Sequence, residues 1–367
     1  MCDVPALRFP EFTEEWESVL LEDVAEFQKK RISSDLLNNS NYISTENILQ
    51  NFGGVQNSIS IPANTNVIEY QKGDVLLSNI RPYLKKVWLS DRHGGCSADV
   101  FVLRGNQCER RFLYYVIASD RFINFVMSGA KGVKMPRGDK SQMEKFAFFI
   151  PTNVEQKKIA RFLSMLDERI ETQNKIIEKL ETLIKGIRHK VFKQLRKDIG
   201  FNATIGNILS FEQPQRYIVS SAEYSNDDTF TPVLTANKAF ILGYTTETDG
   251  IYGKGDCIII DDFTLDCKYV SFPFKVKSSA IKILTAKNKF ILRYAYEYLK
   301  LLELSTEEHK RHYIAEVQPH SCVLPDENTL KTIALVFENL ACKLANEQSL
   351  VLIFNKQKQY LLSKMFI

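Results

Sequence analysis

Between residues 151 and 198 apolar side chains recur in alternating steps of four and three. They are Ile159, Leu163, Leu166, Ile170, Ile177, Leu180, Ile184, Ile187 and Val191, with Gln173 in the single gap. That spacing is the seam of a coiled coil. Pro151-Thr152 supplies a start signal, and Gly200 lies just beyond the end. Residues 326–367 repeat the pattern with Ile333, Phe337, Leu340, Leu344, Val351, Phe354, Leu361 and Met365. Glu347 stands where Gln173 stood, and Lys358 where Ile184 stood. Neither helix can bury such a seam alone, so the two are expected to pack on each other. A lone polar position in a seam is a device that fixes register.

Upstream of each helix the pattern changes to short apolar runs bounded by turn residues. Asp74–Ser78, Lys86–Leu89 and Val100–Leu103 read as strands, and Asp256–Ile260 and Ala280–Leu284 read as their partners in a second copy. A short helix is expected after each set, over Arg111–Ser119 and over Phe290–Leu302. The two halves align residue by residue. Tyr70-Gln71-Lys72-Gly73-Asp74 recurs as Tyr252-Gly253-Lys254-Gly255-Asp256, and Lys86 aligns with Lys268 at the same offset. Leu21, Val24 and Phe27 align with Ile205, Ile208 and Phe211, and Phe192 with Phe366. A repeat of so long a period is a duplicated domain rather than a solenoid. The expected order is a mixed α+β domain over 1–150, a long helix over 151–198, a second such domain over 199–325 and a second long helix over 326–367.

Composition narrows the class. The chain has 367 residues, 44% hydrophobic and 25% charged, and a net charge of +4. That is ordinary globular protein. No apolar run is long enough to cross a membrane, the start lacks the layout of a signal peptide, and the seven scattered cysteines form no Cys-x-x-Cys pair. A reduced cytoplasmic protein fits these features. The charge is uneven: residues 1–150 carry 18 basic and 18 acidic side chains, while residues 151–200 carry 12 and 7. Contact with nucleic acid must therefore come from local patches. In the first copy the candidates are Lys30, Arg31, the segment Asn79, Arg81, Tyr83, Lys85 and Lys86, and the glycine-bounded loop bearing Lys131, Lys134 and Arg137. In the second they are Lys238, Lys268, Tyr269, Lys277, Lys310 and Arg311. Such side chains suit phosphates and base edges.

Catalytic chemistry is poorly represented. There is no phosphate-binding Gly-x-x-x-x-Gly-Lys-Ser/Thr and no glycine-rich loop for S-adenosylmethionine. Asn79-Ile80-Arg81-Pro82-Tyr83 departs from the Asn-Pro-Pro-Tyr of amino-methyltransferases. His309 and His312 lack a third ligand at a usual spacing. Asp256, Asp261 and Asp262 could serve a metal-dependent nuclease, although turn capping explains them as well. Besides DNA recognition, two readings stay open: a coiled-coil scaffold whose duplicated domains bind protein, and a stand-alone nuclease.

Leu7-Arg8-Phe9-Pro10-Glu11-Phe12 with Trp16 and Leu21, then Lys72-Gly73-Asp74-Val75-Leu76 and Arg81-Pro82-Tyr83, resemble type I restriction–modification specificity subunits. So does Ile150-Pro151 followed by Glu155-Gln156, Ile159-Ala160, Leu166-Asp167, Ile170 and the helix down to Phe192. In the second copy Pro325-Asp326-Glu327-Asn328 lacks the Glu-Gln pair. The resemblance implies a non-catalytic subunit with two similar target recognition domains separated by two long antiparallel coiled-coil helices. Each domain would read one half of a split double-stranded DNA sequence. The helices would dock two methyltransferase subunits, and restriction subunits carrying motor and nuclease would join that core. No cofactor is then expected on this chain; S-adenosylmethionine, ATP and Mg²⁺ would sit on the partners.

Overall fold

The computed structural model describes residues 5–366 except Val133, Asn237, Lys238, Ser305, Glu307, Glu308 and His309. The chain forms two compact units, one of residues 1–173 with 350–367, the other of residues 174–349. Each unit therefore holds one globular domain and a portion of both long helices, a division that cuts the helices rather than falling at their starts.

In the first unit the main sheet has four antiparallel strands, β1 (Ala25–Phe27), β2 (Val75–Ser78), β3 (Val87–Leu89) and β4 (Val100–Gly105), in the order β1-β4-β2-β3. In the second unit β5 (Ser210–Glu212), β6 (Cys257–Asp261), β7 (Cys267–Val270) and β8 (Ile281–Thr285) take the order β5-β8-β6-β7. The duplication extends to register: Leu76 pairs with Val102 and Ile258 with Leu284, both partners shifted by the same 182 positions. The Lys-Gly-Asp turn that introduces β2 and β6 is explained by its glycine. Gly73 and Gly255 have φ of 88° and 96°, a region in which a Cβ is strained. Tyr70 and Tyr252 before these turns are both buried.

Helix α1 (Arg110–Ile117) packs on the first sheet and α3 (Lys289–Leu302) on the second. Glu109 caps α1 through the Phe112 N–H, and Asn288 caps α3 through the Phe290 and Ile291 N–H groups. A second, smaller sheet flanks each main one. In the first unit its order is Arg31–Ser33, Asn66–Tyr70, Gly94–Cys96, Tyr42–Ile43, and in the second Ile241–Thr245, Thr231–Leu234, Lys275–Val276.

The long helices are α2 (Asn153–Asp198) and α4 (Glu327–Met365). Forty-six residues at about 1.5 Å each give α2 a length of roughly 70 Å. Every predicted seam residue is buried or half-buried, while most positions between them are exposed. The pairing is antiparallel. In the first unit Asp167 meets Lys358 at 2.5 Å, and two residues further along α2 the Arg169 guanidinium lies 4.7 Å from the Phe354 ring centre, one turn back along α4. Each domain core is closed by the start of one long helix and the end of the other. Ile159, Ala160 and Leu163 join Leu362 and Met365 in the first, and Leu330 joins Phe192 and Leu195 in the second.

Candidate nucleic-acid interface

The connection between β2 and β3, residues 79–86, is a finger wound into one 3-10 turn at Pro82–Leu84. Arg81 and Lys85 on either side of that turn are both left-handed, φ 52°. For side chains bearing a Cβ this costs about 1 kcal/mol or more each, so neighbouring backbone must enforce it. The glycine-bounded loop does so from one side: Arg81 N donates to Pro136 O at 2.8 Å and Gly138 N to Asn79 O at 3.1 Å, while Arg137 bridges both Ile80 and Lys131. A Cβ at Gly138 would displace the end of the Met143 side chain and crowd Val126. From another side Asn51 N donates to Leu84 O and Phe52 N to Lys85 O, each at 3.0 Å. Two segments far apart in sequence thus form one surface.

The charges on that surface fall into two groups. Lys131 is largely exposed and pairs with Asp139 at 2.8 Å; Arg137 is half-exposed and pairs with Asp99 at 2.7 Å; Lys134 is exposed. Surface ion pairs hold only about 0–1 kcal/mol, so these cations can exchange their carboxylates for phosphates. Lys85 and Lys86 are half-buried and engaged by the protein itself, Lys85 with exposed Asp120 at 2.5 Å and Lys86 with Thr45 O at 2.6 Å. Tyr83 at the tip is 47% exposed. Arg81 Nε and Asn79 Oδ1 are buried without a hydrogen bond inside the protein, an arrangement costing about 1–3 kcal/mol until a ligand or water satisfies them. Lys30 and Arg31 lie at the smaller sheet, bound to Glu69 and to Asn66 O.

The second unit departs from the sequence alignment in two respects. Its hairpin carries only residues 262–266 between strands, with no basic side chain at the tip. The match of Lys86 with Lys268 is also one residue out. Ser78 N donates to Lys86 O just beyond the ladder, whereas Lys268 pairs with Ile259, the counterpart of Leu77. A one-residue slip turns a side chain to the opposite sheet face. Tyr269 is engaged internally: its hydroxyl donates to Asp256 Oδ2 at 2.8 Å and the Arg293 guanidinium lies 4.9 Å from its ring centre. Burial, then the bond to Asp256, pushes that hydroxyl's pKa up. Lys277 is exposed, Lys310 lies 3.7 Å from Glu316, and Arg311 lies 4.0 Å from Asp262. Lys238 and His309 lie outside the described residues. A related bond recurs one residue along: His312 N donates to Asp262 O, whereas Gly138 N donates to Asn79 O, whose counterpart by register is Asp261.

The carboxylates considered for a nuclease have structural partners. Asp261 Oδ1 accepts from Phe263 N and Thr264 N at 2.9 Å. Asp262 accepts from Tyr313 N at 2.9 Å and pairs with buried Lys282 at 3.1 Å. Among the described residues no group of three or more His, Cys, Asp or Glu side chains is placed to hold a metal ion.

Two anchors went unread in the sequence. Arg8 Nε and Nη2 each donate at 2.8 Å to Glu155, whose side chain is fully buried, and the adjacent Gln156 spans Glu109 N and Pro151 O. In the second unit Arg188 of α2 makes two bonds of 2.9 and 2.7 Å to buried Glu297 of α3. The Glu-Gln motif was visible, but its partner Arg8 lies 147 positions away, beyond any local pattern.

Residues 13–182 match the family model described as a type I restriction modification DNA specificity domain. Over 142 residues the chain is 44% identical to the specificity subunit of the type I restriction enzyme EcoR124I/EcoR124II of Escherichia coli, covering 36% of this chain and 35% of that one. Over 196 residues it is 28% identical to the MjaVIII specificity subunit of Methanocaldococcus jannaschii, covering 52% and 44%. The matches thus span less than half the length of these curated relatives. Among solved structures, the S subunit of a type I restriction-modification system from M. genitalium superimposes with a TM-score of 0.66 at 18% identity, over 99% of each chain. A chain from work on complex assembly and conformational transition of the type I R-M system gives 0.51 at 17% identity, over 95% of this chain and 97% of that one. At such identities these two establish the fold, and they extend it to both copies and both helices. Residues 13–182, a little under half of the chain, are thus similar in sequence to a type I restriction modification DNA specificity domain, and the fold of the whole chain is that of the two type I S-subunit structures.

Proposed function

We propose that this chain reads a bipartite double-stranded DNA target, one half per globular domain, for a methylating and cleaving complex whose chemistry resides on other subunits. The observation that carries this reading is the junction of finger 79–86 with loop 129–138. It sets exposed Lys131, Lys134 and Arg137 beside two buried polar atoms that lack a partner. Cations on a rigid strained scaffold suit phosphate contact, and the buried unsatisfied polar groups suit an ordered water held beneath that surface. Docking of two methyltransferase subunits on the helix pair is supported by solvent-facing apolar side chains: Met165, Leu352, Ile353 and Tyr360 in the first unit, and Leu183 and Val336 in the second. On this reading the chain is not itself an enzyme. S-adenosylmethionine, ATP and Mg²⁺ belong to the methyltransferase and restriction subunits, and the complex works in the cytoplasm. Among the described residues no helix is long and apolar enough to cross a membrane.

The test is to map DNA methylation in a host expressing this chain with a cognate methyltransferase, then to exchange residues 1–150 for another such domain. A two-part methylated motif in which only one part changes is expected. A single contiguous motif, or a change in both parts, would overturn the proposal.

A further inference from the structure

Among the described residues seven non-glycine residues have positive φ, and four of them meet at the finger: Asn51 (53°), Phe52 (60°), Arg81 (52°) and Lys85 (52°). Strain of this kind persists only where surroundings over-determine it. The backbone bonds from Asn51 and Phe52 to Leu84 and Lys85 hold one strained segment on the other. Phe52 packs against the first unit's core, to which the C-terminal helix contributes Leu362 and Met365. The Lys358 ammonium lies 5.9 Å from the Phe52 ring centre and 5.7 Å from that of Tyr115. It is paired with Asp167 of α2 at 2.5 Å, and the Tyr115 hydroxyl donates to the same carboxylate at 2.7 Å. Its side chain is only 7% exposed. Lys358 occupies a seam position where the other helix carries Ile184, and an apolar residue there would ordinarily serve stability as well as or better than a buried ion pair. Stability alone does not account for this lysine.

We propose that Lys358 is a positioning residue for the DNA finger: fixed to the helix pair by Asp167, its ammonium clamps the Phe52 ring, and the Asn51–Phe52 backbone in turn fixes Leu84 and Lys85. The helix pair and the first reading surface are thereby one mechanical unit. This rests on the finger meeting DNA, as proposed above, but the clamp itself is tested without DNA.

The experiment measures amide hydrogen exchange in the full chain for wild type, Lys358→Leu, Lys358→Arg and Phe52→Leu. Peptides covering 49–54 and 82–86 are expected to exchange about tenfold faster in Lys358→Leu and Phe52→Leu, since loss of a shielded cation–π contact promotes local opening. Lys358→Arg restores protection, because a guanidinium keeps both the ion pair and the ring contact, and Phe52→Leu, which leaves the Lys358–Asp167 pair intact, separates the ring contact from the stability that an unpaired Asp167 costs Lys358→Leu. Unchanged exchange in both leucine variants, or failure of arginine to rescue, overturns the clamp. A random-sequence duplex is then used as probe. The two leucine variants bind it roughly three- to tenfold more weakly through lost preorganisation; equal binding overturns the positioning role. Arg81→Ala, measured in parallel, reports on the finger itself: wild-type affinity in that variant removes the DNA reading and leaves the exchange result standing.

Discussion

Phe112 and Phe366 stand with ring centroids 5.2 Å apart, and Phe192 and Tyr294 stand at the same 5.2 Å in the other unit. Tyr294 lies 182 positions after Phe112, and Phe366 lies 174 after Phe192. The duplicated contact has thus exchanged helices: the end of α4 closes the first domain, and the end of α2 closes the second. Phe192→Ala is expected to destabilise the second unit by about 3–4 kcal/mol, as for a buried aromatic, and Phe366→Ala the first by about 2 kcal/mol, since it is only half-buried. Hydrogen exchange localises each effect. Loss of protection in the opposite unit from the one named would contradict the assignment.

How much of this was legible in the sequence depends on the range of the cause. The helix seams were readable because a four-three period is local, and all its residues are buried or half-buried in the fold. The Lys-Gly-Asp turns were readable because a positive φ before a strand selects glycine. The placement of Lys268 was not. Identity at a fixed offset is blind to the one-residue slip that a shorter hairpin introduces, and that slip decides which face a side chain takes. Nor could composition show that Lys85, Lys86 and Tyr269 are engaged by the protein itself, because Asp120, Thr45 and Asp256 reach them only through the fold. Lys358 did stand out as a cation in an apolar seam, but its contact with Phe52 joins opposite ends of the chain.

The Arg8–Glu155 pair leads to a prediction about the N-terminal segment. Glu155 is fully buried and the Arg8 side chain nearly so. The bond to Glu155 raises the Arg8 pKa further, so the guanidinium stays charged. Removing one partner leaves a buried charge uncompensated. Arg8→Ala should therefore cost about 3 kcal/mol in chemical unfolding of the first unit. Removing both charges by Arg8→Met with Glu155→Leu should recover most of that loss. A double variant as unstable as the single one would mean that the pair matters for shape rather than charge.

The two groups of basic residues should separate experimentally. Lys134→Ala, at an exposed position, is expected to leave thermal stability unchanged and to lower the slope of log affinity against log salt by about 1. Lys86→Ala removes the bond to Thr45 O and should cost about 1 kcal/mol of stability as well as affinity. Binding to mixed-sequence duplex over a range of salt, beside a melting curve, distinguishes them. An unaltered salt slope in Lys134→Ala would remove that residue from the contact surface.

Five buried thiols give a pH dependence of definite sign. Burial pushes Cys96, Cys108 and Cys257 up to about 12, and Cys267 and Cys322 up to about 11. Their folded pKa values lie above the unfolded value of about 8.5. The neutral thiol is therefore favoured by the fold, and its contribution is complete below about pH 8.5 and declines as pH rises towards 11 and 12. At pH 8 these five should resist alkylation, while exposed Cys342 reacts. Peptide mass analysis after brief labelling checks this residue by residue. Rapid labelling of Cys96 or Cys257 in folded protein would contradict their burial.

The final prediction concerns the helices as a spacer. Because α2 and α4 pair antiparallel, lengthening one alone would slide Asp167 out of reach of Lys358 or displace the partners of the second unit. A heptad after Leu180 therefore needs a matching heptad in α4 between Leu344 and Val351. Seven residues nearly preserve the seam, whereas three or four shift its phase. Each heptad adds about 10 Å of helix, and DNA rises about 3.4 Å per base pair. If the helices set the distance between two reading domains, the gap between half-sites should widen by up to about three base pairs while both half-site sequences stay unchanged. Methylation mapping of the doubly lengthened protein reads this directly. An assembled, active complex with an unaltered gap would show that the spacing is set elsewhere.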